Sequence, residues 1–349
     1  MLIVILGVET FDSMEAGLKK AFQSEGHDAR IFTAQRFYRE SGSLERASFL
    51  FRRACEIASR VTTGSDHGYL QKKIVRALRA MRPDVCIVLD FTLLLPTTVE
   101  EIKQATGCIV VGWFPDAIVN LGGAQFLFAP YDMIFFKDPY MVRRLGTELG
   151  LPQVRYLPEA FDETLLDLEP WGDVVEPFDV LVYGNIYASR VKHLETLDPS
   201  LSVHVFGPKR RFPWRSTALD RWYRGESLRN ARKVAFVRRA RVCINHGHFG
   251  EVESVNARVW EIAGLGGFQL TNLEGVRRFF SDLIPVYSNP EDMNELVHRY
   301  LDDEEERAVR AASAQRIVLE KHTWRHRVRE MLALVRIDQP GKIQAGHPS

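Results

Sequence analysis

Short apolar runs alternate with stretches of helical periodicity from the first residue onward. Leu2 to Val8 reads as a strand, and Asp12-Ser13-Met14-Glu15 supplies a capping box that starts a helix through about Ser24. Ala29 to Thr33, Val85 to Asp90, Cys108 to Gly112, Met133 to Phe136 and Val154 to Leu157 read as further strands, with helical stretches between them. Strands that are apolar at nearly every position have no solvated face. Alternating with helices, they predict a parallel sheet covered on both sides.

The same pattern then restarts. After the acidic segment Leu166 to Pro177, with its prolines at 170 and 177, come Phe178 to Tyr183, Ser202 to Phe206, Val242 to Asn245, Phe268 to Thr271 and Pro285 to Tyr287 as strands. From about Met293 the chain turns helical and charged, and residues 337–349, holding Pro340, Gly341, Gly346 and Pro348, are expected to be a mobile tail. The expected organisation is α/β: residues 1–165 as one Rossmann-like domain, 166–177 as a linker and 178–336 as a second. Two open sheets facing each other leave a cleft at the carboxyl ends of their strands, where such folds bind ligands.

Composition adds boundaries rather than detail. The 349 residues suffice for two cores, and 46% hydrophobic with 26% charged residues and a net charge of +1 is an ordinary globular balance. No apolar run is long enough to span a bilayer, and Met1 to Gly7 lacks the features of a signal peptide, so a cytoplasmic location is expected. Cys55, Cys86, Cys108 and Cys243 show no C-x-x-C spacing and read as reduced core thiols.

Several chemistries lose support at once. Gly7-Val8-Glu9-Thr10-Phe11-Asp12 is not the dinucleotide fingerprint, no triphosphate-binding loop or H-E-x-x-H helix occurs, and His246-Gly247-His248 is too isolated for a metal site. The informative stretch is VESVNARVWEIAGLGGFQLTN, Val252 to Asn272. At helical spacing Val255, Val259, Ile262 and Ala263 share one face, while Arg258 and Glu261 lie on the other. Ser254 is the expected N-cap, whose first-turn amides would favour a phosphate, with Glu253 beside that end. The spacing equally allows Arg258 and Glu261 to be a plain i,i+3 surface pair.

The run Asn256 to Thr271 resembles the N-x-R-x-x-E-x-x-x-x-G-G-F-Q-L-T signature of the CgeB-like glycosyltransferases, named after a spore maturation protein. Val286-Tyr287-Ser288, Glu291-Asp292, Leu296, Tyr300-Leu301, Glu306-Arg307 and His322 to Arg327 continue the likeness, and Tyr183-Gly184-Asn185 with Arg190 resembles the first turn of that family's second domain. The resemblance implies a GT-B fold and a nucleotide-sugar donor bound mostly by the second domain. It further implies that Glu261 grips the ribose, that Glu253 lies near the donor sugar and that Arg190 and Lys192 neutralise the diphosphate. Glu251 competes for the role of Glu253. Gly184, Asn185, Asn256 and Arg258 join the donor-binding set, without cofactor or metal.

Breaking a sugar to diphosphate bond loads charge on the leaving group, which arginines, lysines and helix amino ends can offset where no metal does. No D-x-D stands at a strand end; Asp302-Asp303-Glu304 falls in a late helical region and reads as a solvated face. His246 and His248 follow a strand and could bond the donor, or be loop residues without a role. Gly207 lets backbone approach the base, or simply makes a turn. Asp116, at a strand end, is a candidate general base for the acceptor or the cap of the next turn, with Asp90 as second choice. Lys209 to Arg241 carries twelve Lys or Arg with aromatics interleaved. That stretch suits an anionic acceptor or nucleic acid, or is a basic helical face packed inward, the favoured reading. Two other classes remain open: a GT-B protein that binds sugar nucleotides without turnover, and a nucleotide-sugar epimerase.

Overall fold

A computed structural model of the chain describes residues 1–7, 9, 13–33, 68–89, 94–121, 124–169, 171–173, 175–208 and 215–338. Asp90, Cys55 and the tail from 339 lie outside the described residues, as do Asp12 and residues 209–214. The first domain runs β1 (Leu2–Leu6), α1 (Met14–Ser24), β2 (Asp28–Phe32), α2 (Gly68–Met81), β3 (Val85–Val88), α3 (Pro96–Thr106), β4 (Ile109–Phe114), β5 (Met133–Phe136), α4 (Pro139–Arg143) and β6 (Val154–Tyr156). Its six strands lie in the order β2-β1-β3-β4-β5-β6, all parallel.

The apolar runs explain this sheet. Val4, Leu6, Cys86, Val88, Val110 and Ile134 enter one core, while their chain neighbours Ile3, Ile5, Val85, Ile87, Val111 and Met133 enter another on the opposite face. Alternation that is invisible in hydropathy therefore persists in direction, because successive side chains leave a strand on opposite sides. Ser13 caps α1 by accepting the Ala16 amide at 3.3 Å.

The second domain runs β7 (Phe178–Tyr183), α5 (Ala188–Leu194), β8 (Val203–Phe206), α6 (Thr217–Trp222), β9 (Tyr223–Gly225), α7 (Asn230–Arg239), β10 (Ala240–Asn245), α8 (Ala257–Gly264), β11 (Gln269–Thr271), α9 (Arg277–Phe280), α10 (Pro290–Asp302), α11 (Glu304–Lys321) and α12 (Trp324–Asp338). Five parallel strands take the order β11-β10-β7-β8-β9. β9 was not expected, and Pro285 to Tyr287 contributes only a bridge from Val286 to Thr271. Asp303 caps α11 by accepting the Glu306 amide at 2.8 Å, so the acidic trio marks a helix junction.

The last helix departs from the sequence division. Trp324, Val328, Met331, Leu332 and Val335 of α12 fill the core of the first sheet, with the Trp324 ring edge-on to Trp113 at 6.0 Å. The chain thus crosses back, fastened by Phe161 N–H to His322 O at 2.9 Å and Trp324 N–H to Phe161 O at 3.0 Å. Periodicity shows that a helix has an apolar face, not which sheet covers it. Cys86, Cys108 and Cys243 are buried and free. Among the described residues no helix is long and apolar enough to cross a membrane.

Candidate active site

At the end of β7 the backbone turns through Gly184 at φ +106°, a conformation that favours glycine. A Cβ there would stand 2.5 Å from Nη1 of Arg258, so the missing side chain also leaves room for that guanidinium. A side chain at Gly207, just past β8, would strike the Gly184 carbonyl, which gives Gly207 a packing reason to be glycine. Arg190 on α5 is 2% exposed and ties two loops together, donating to the carbonyls of Asn185 and, at 2.8 Å, His246. Burial first, then the nearby positive charge of Arg258, pulls its pKa down to about 9.

The loop after β10 is ordered by amides. Asn245 and Asn256, both buried, exchange side-chain hydrogen bonds at 3.0 and 3.1 Å, and Asn245 Oδ1 also accepts from Arg258 Nε at 3.1 Å. That bond leaves the Nη groups of Arg258 toward Gly184. Among the described residues no carboxylate pairs with either Arg190 or Arg258. His246 is buried against Tyr287, Nδ1 to hydroxyl at 3.0 Å, and burial first holds its pKa down at about 3. His248 accepts the Gly250 amide on Nδ1 at 3.0 Å and packs edge-on to Tyr187.

Asn256, not Ser254, occupies the N-cap position of α8, and its side chain is turned to Asn245 instead of the first-turn amides. Ser254 donates its hydroxyl to Glu251. The expected buried face is correct at Val259, Ile262 and Ala263, with Trp260 added. Arg258 and Glu261 do not pair with each other. Glu261 accepts from the Tyr183 hydroxyl at 3.0 Å and from Lys233 Nζ at 2.8 Å. Two donors fix the carboxylate while its remaining lone pairs stay free for further hydroxyl groups. Glu261 and Lys233 line a cavity of about 100 Å³ with Ser13, Glu159 and Asp162 at the domain junction.

From the first domain, Asp116 turns its oxygens onto its own loop, accepting from the Ala117 amide at 2.7 Å and Asn120 Nδ2 at 2.9 Å. Lys137, 3% exposed just past β5, meets Glu251 at 2.9 Å and Glu159 at 3.3 Å. Burial works against its ammonium, yet the two carboxylates outweigh burial and raise its pKa. Glu159 is pushed up to about 7, by burial first and by the Glu251 and Asp116 charges, against the pull of Lys137. Glu253 is held by both guanidinium nitrogens of Arg143, one at 2.6 Å, which lowers its pKa.

Comparison with known proteins names this arrangement. Residues 189–333 match the family described as Glycosyl transferase-like. Across nearly the whole chain the structure resembles an α,α-trehalose 6-phosphate synthase from Burkholderia multivorans, at TM-score 0.62 and 13% identity with 100% of this chain and 99% of that one covered. It also resembles HepE from Anabaena in complex with UDP-glucose, at TM-score 0.64 and 10% identity over 96% and 100% of the two chains. The trehalose-6-phosphate phosphatase N-terminal domain of Candida albicans gives TM-score 0.65 at 10% identity, over 97% and 96%. The chain has the GT-B glycosyltransferase fold. No curated protein matches it by sequence.

In the GT-B frame the second sheet brings together Gly184, Asn185, Arg190, Gly207, His246, His248, Asn256 and Arg258, with Glu261 farther along α8. Lys192 stands apart, its side chain 81% exposed and paired with Glu195 at 2.9 Å. Asn245 and Lys233 were missed as site residues. The first carried the signal of a buried asparagine ending an apolar strand. The second sat inside the basic stretch, whose described cations are partly spent internally: Lys233 on Glu261, Arg241 on Asp179 at 3.0 Å, Arg238 on the Leu265 carbonyl, and Arg232 over the rings of Phe206, Phe236 and Trp171. Arg215, Arg221, Arg224, Arg229 and Arg239 remain exposed.

Proposed function

We propose that the protein is a metal-independent glycosyltransferase, moving a sugar from a nucleotide-diphosphate-sugar donor to an acceptor, with its donor held at the carboxyl end of the second sheet. The observation that carries this is the pair Arg190 and Arg258, two cations beside a glycine-lined turn with no carboxylate partner among the described residues. Uncompensated charge near a protein interior costs several kcal/mol, and a bound diphosphate would offset it. The amino end of α8 adds its dipole to the same place. Glu261, oriented by Tyr183 and Lys233, is the acceptor for the ribose hydroxyls, and Glu253 is the carboxylate nearest the donor sugar.

Leaving-group charge is then met by guanidinium and helix dipole, with no cofactor required. The signature run Asn256 to Thr271 favours the CgeB-like branch of the glycosyltransferases. Three buried free thiols suit a reducing, cytoplasmic compartment. HepE is described with UDP-glucose, so uridine diphosphate sugars head the donor panel.

The test is thermal stabilisation by UDP-, GDP- and dTDP-sugars, followed by donor hydrolysis in EDTA. A rise in Tm with one nucleotide series, and hydrolysis unaffected by EDTA, is expected. No stabilisation by any nucleotide or sugar nucleotide would overturn donor binding. Activity lost in EDTA and restored by a divalent ion would overturn metal independence. Binding without hydrolysis would favour the non-catalytic reading of the fold, and interconversion of free nucleotide-sugars the epimerase.

A further inference from the structure

One short segment of the first domain meets one short loop of the second, residue for residue. Lys137 pairs with Glu251 at 2.9 Å. Asp138, 2% exposed, splits its carboxylate: Oδ1 accepts the Tyr140 amide at 2.9 Å and so caps α4, while Oδ2 accepts the amides of Val252 and Glu253, each at 3.2 Å. Arg143, on the next turn of α4, holds the Glu253 carboxylate in a two-pronged grip. Ile118 N–H adds a bond to the Gly250 carbonyl at 3.2 Å.

The loop from Gly250 to Val255 has no helix or strand of its own. Its backbone amides at Val252 and Glu253 are held from the opposite domain, by the buried carboxylate of Asp138. Next in the chain comes Asn256, locked to Asn245, and then Arg258. Displacement of residues 251–253 is therefore passed within a few bonds to the amino end of α8.

We propose that Lys137, Asp138 and Arg143 are positioning residues for transfer: the first domain shapes the loop that places Glu253 and the start of α8. The link to transfer rests on the donor site proposed above. The link between the segments does not. Glu253 keeps lone pairs free while Arg143 holds it, so the grip orients the carboxylate without consuming it.

The experiment uses the full-length chain with Arg143→Gln, Arg143→Lys and Asp138→Asn. Arg143 is largely exposed, its side chain 57% accessible, so its replacement tests the grip without endangering the core. Hydrogen exchange is read first, without ligand. Amides 252–258 should exchange at least roughly 10-fold faster in Asp138→Asn, which loses the bonds that Oδ2 accepts from Val252 and Glu253, while β11 and α10 stay at wild-type rates. Turnover of UDP-, GDP- and dTDP-glucose is read second: kcat should fall on the order of 10- to 100-fold in Asp138→Asn and Arg143→Gln with KM little changed, as for a misplaced reacting group. Arg143→Lys should recover part of the rate.

Wild-type exchange at 252–258 in both Asp138→Asn and Arg143→Gln would overturn the proposal, whatever the donor. Faster exchange with an unaltered kcat would make the contact merely structural and overturn it equally. Failure of the donor site itself looks different: Arg258→Ala would then leave nucleotide binding unchanged, while the exchange result would still decide whether the first domain shapes this loop.

Discussion

At the strand ends of the second sheet, two guanidinium groups stand beside a glycine turn with no carboxylate among the described residues to meet them; at the strand ends of the first, Lys137 and Arg143 are each matched by a glutamate from across the cleft. Both edges are cationic, yet only one is satisfied by the protein itself. Unpaired buried charge is costly, so it persists where a ligand completes it. Paired charge at a domain junction instead fixes geometry. The difference separates a place for an anion from a clamp that holds two domains together.

Arg258→Ala breaks the comparison on its open side. Among the described residues Arg258 makes one hydrogen bond, to Asn245, so stability should change little. Transfer should fall by about 10²- to 10³-fold, the effect of removing one preorganised donor from a developing charge. Measuring kcat/KM beside Tm checks it: a stability loss with intact transfer would place Arg258 among the structural cations.

Glu261 sits between the two cases, because its partner is a lysine of its own domain. Glu261→Gln keeps an oxygen for the Tyr183 hydroxyl but removes the carboxylate charge from the 2.8 Å pair with Lys233, 4% exposed. A loss of about 3 kcal/mol is expected by denaturant unfolding, as for a broken buried pair. Adding Lys233→Met should recover most of that stability and none of the nucleotide affinity. Affinity regained with stability would show that the carboxylate acts only as a strut.

These cases show what the sequence could reveal. The apolar strands, the restart after residue 177 and the buried face of α8 were legible because periodicity is local, whereas Glu261 was marked by the resemblance of its signature run, spacing alone leaving open a surface pair with Arg258. Its partner Lys233 was not, since nothing in a basic helix says which of its cations points inward. Lys137, Asp138 and Glu159 were invisible for a related reason: their partners lie elsewhere along the chain, up to Glu251, 114 residues from Lys137. The one available signal was the abrupt change from Phe135-Phe136 to Lys137-Asp138 at a strand end. β9 was too short to show a pattern, and α12 carried the right face but no mark of its sheet.

On the satisfied side, Glu159 offers a pH test. It faces Lys137, Glu251 and Asp116, and its backbone carbonyl takes a bond from Arg327 Nε. Its pKa is raised from 4.5 to about 7, so the folded state binds the proton more tightly than the unfolded chain. The stabilisation from that proton is complete below about 4.5 and is lost as pH rises through about 7. Glu159→Gln should remove this dependence, which amounts to roughly 3 kcal/mol. Melting curves of the two proteins between pH 4.5 and 8 should converge at the acid end and part towards neutrality. Parallel curves would mean that Lys137 neutralises the cluster in full.

The smallest effect is expected at Asp116, where the alternatives differ most in consequence. As a general base it would face an acceptor hydroxyl, and Asp116→Asn would cost about 10²-fold or more. As a loop cap it needs one oxygen for the Ala117 amide, which asparagine retains, and loses only a bond to Asn120 on the surface. Both of its oxygens are already turned onto its own loop, so transfer by Asp116→Asn should stay within about 2-fold of wild type, the scale of one exposed hydrogen bond. Lys192→Ala serves as the internal reference, since its pair with Glu195 is solvent-exposed and exposed pairs contribute little. If Asp116→Asn falls far below that reference at unchanged Tm, the first sheet contributes a reacting group as well as a clamp, and the contrast between the two edges narrows to the second sheet's affinity for the diphosphate.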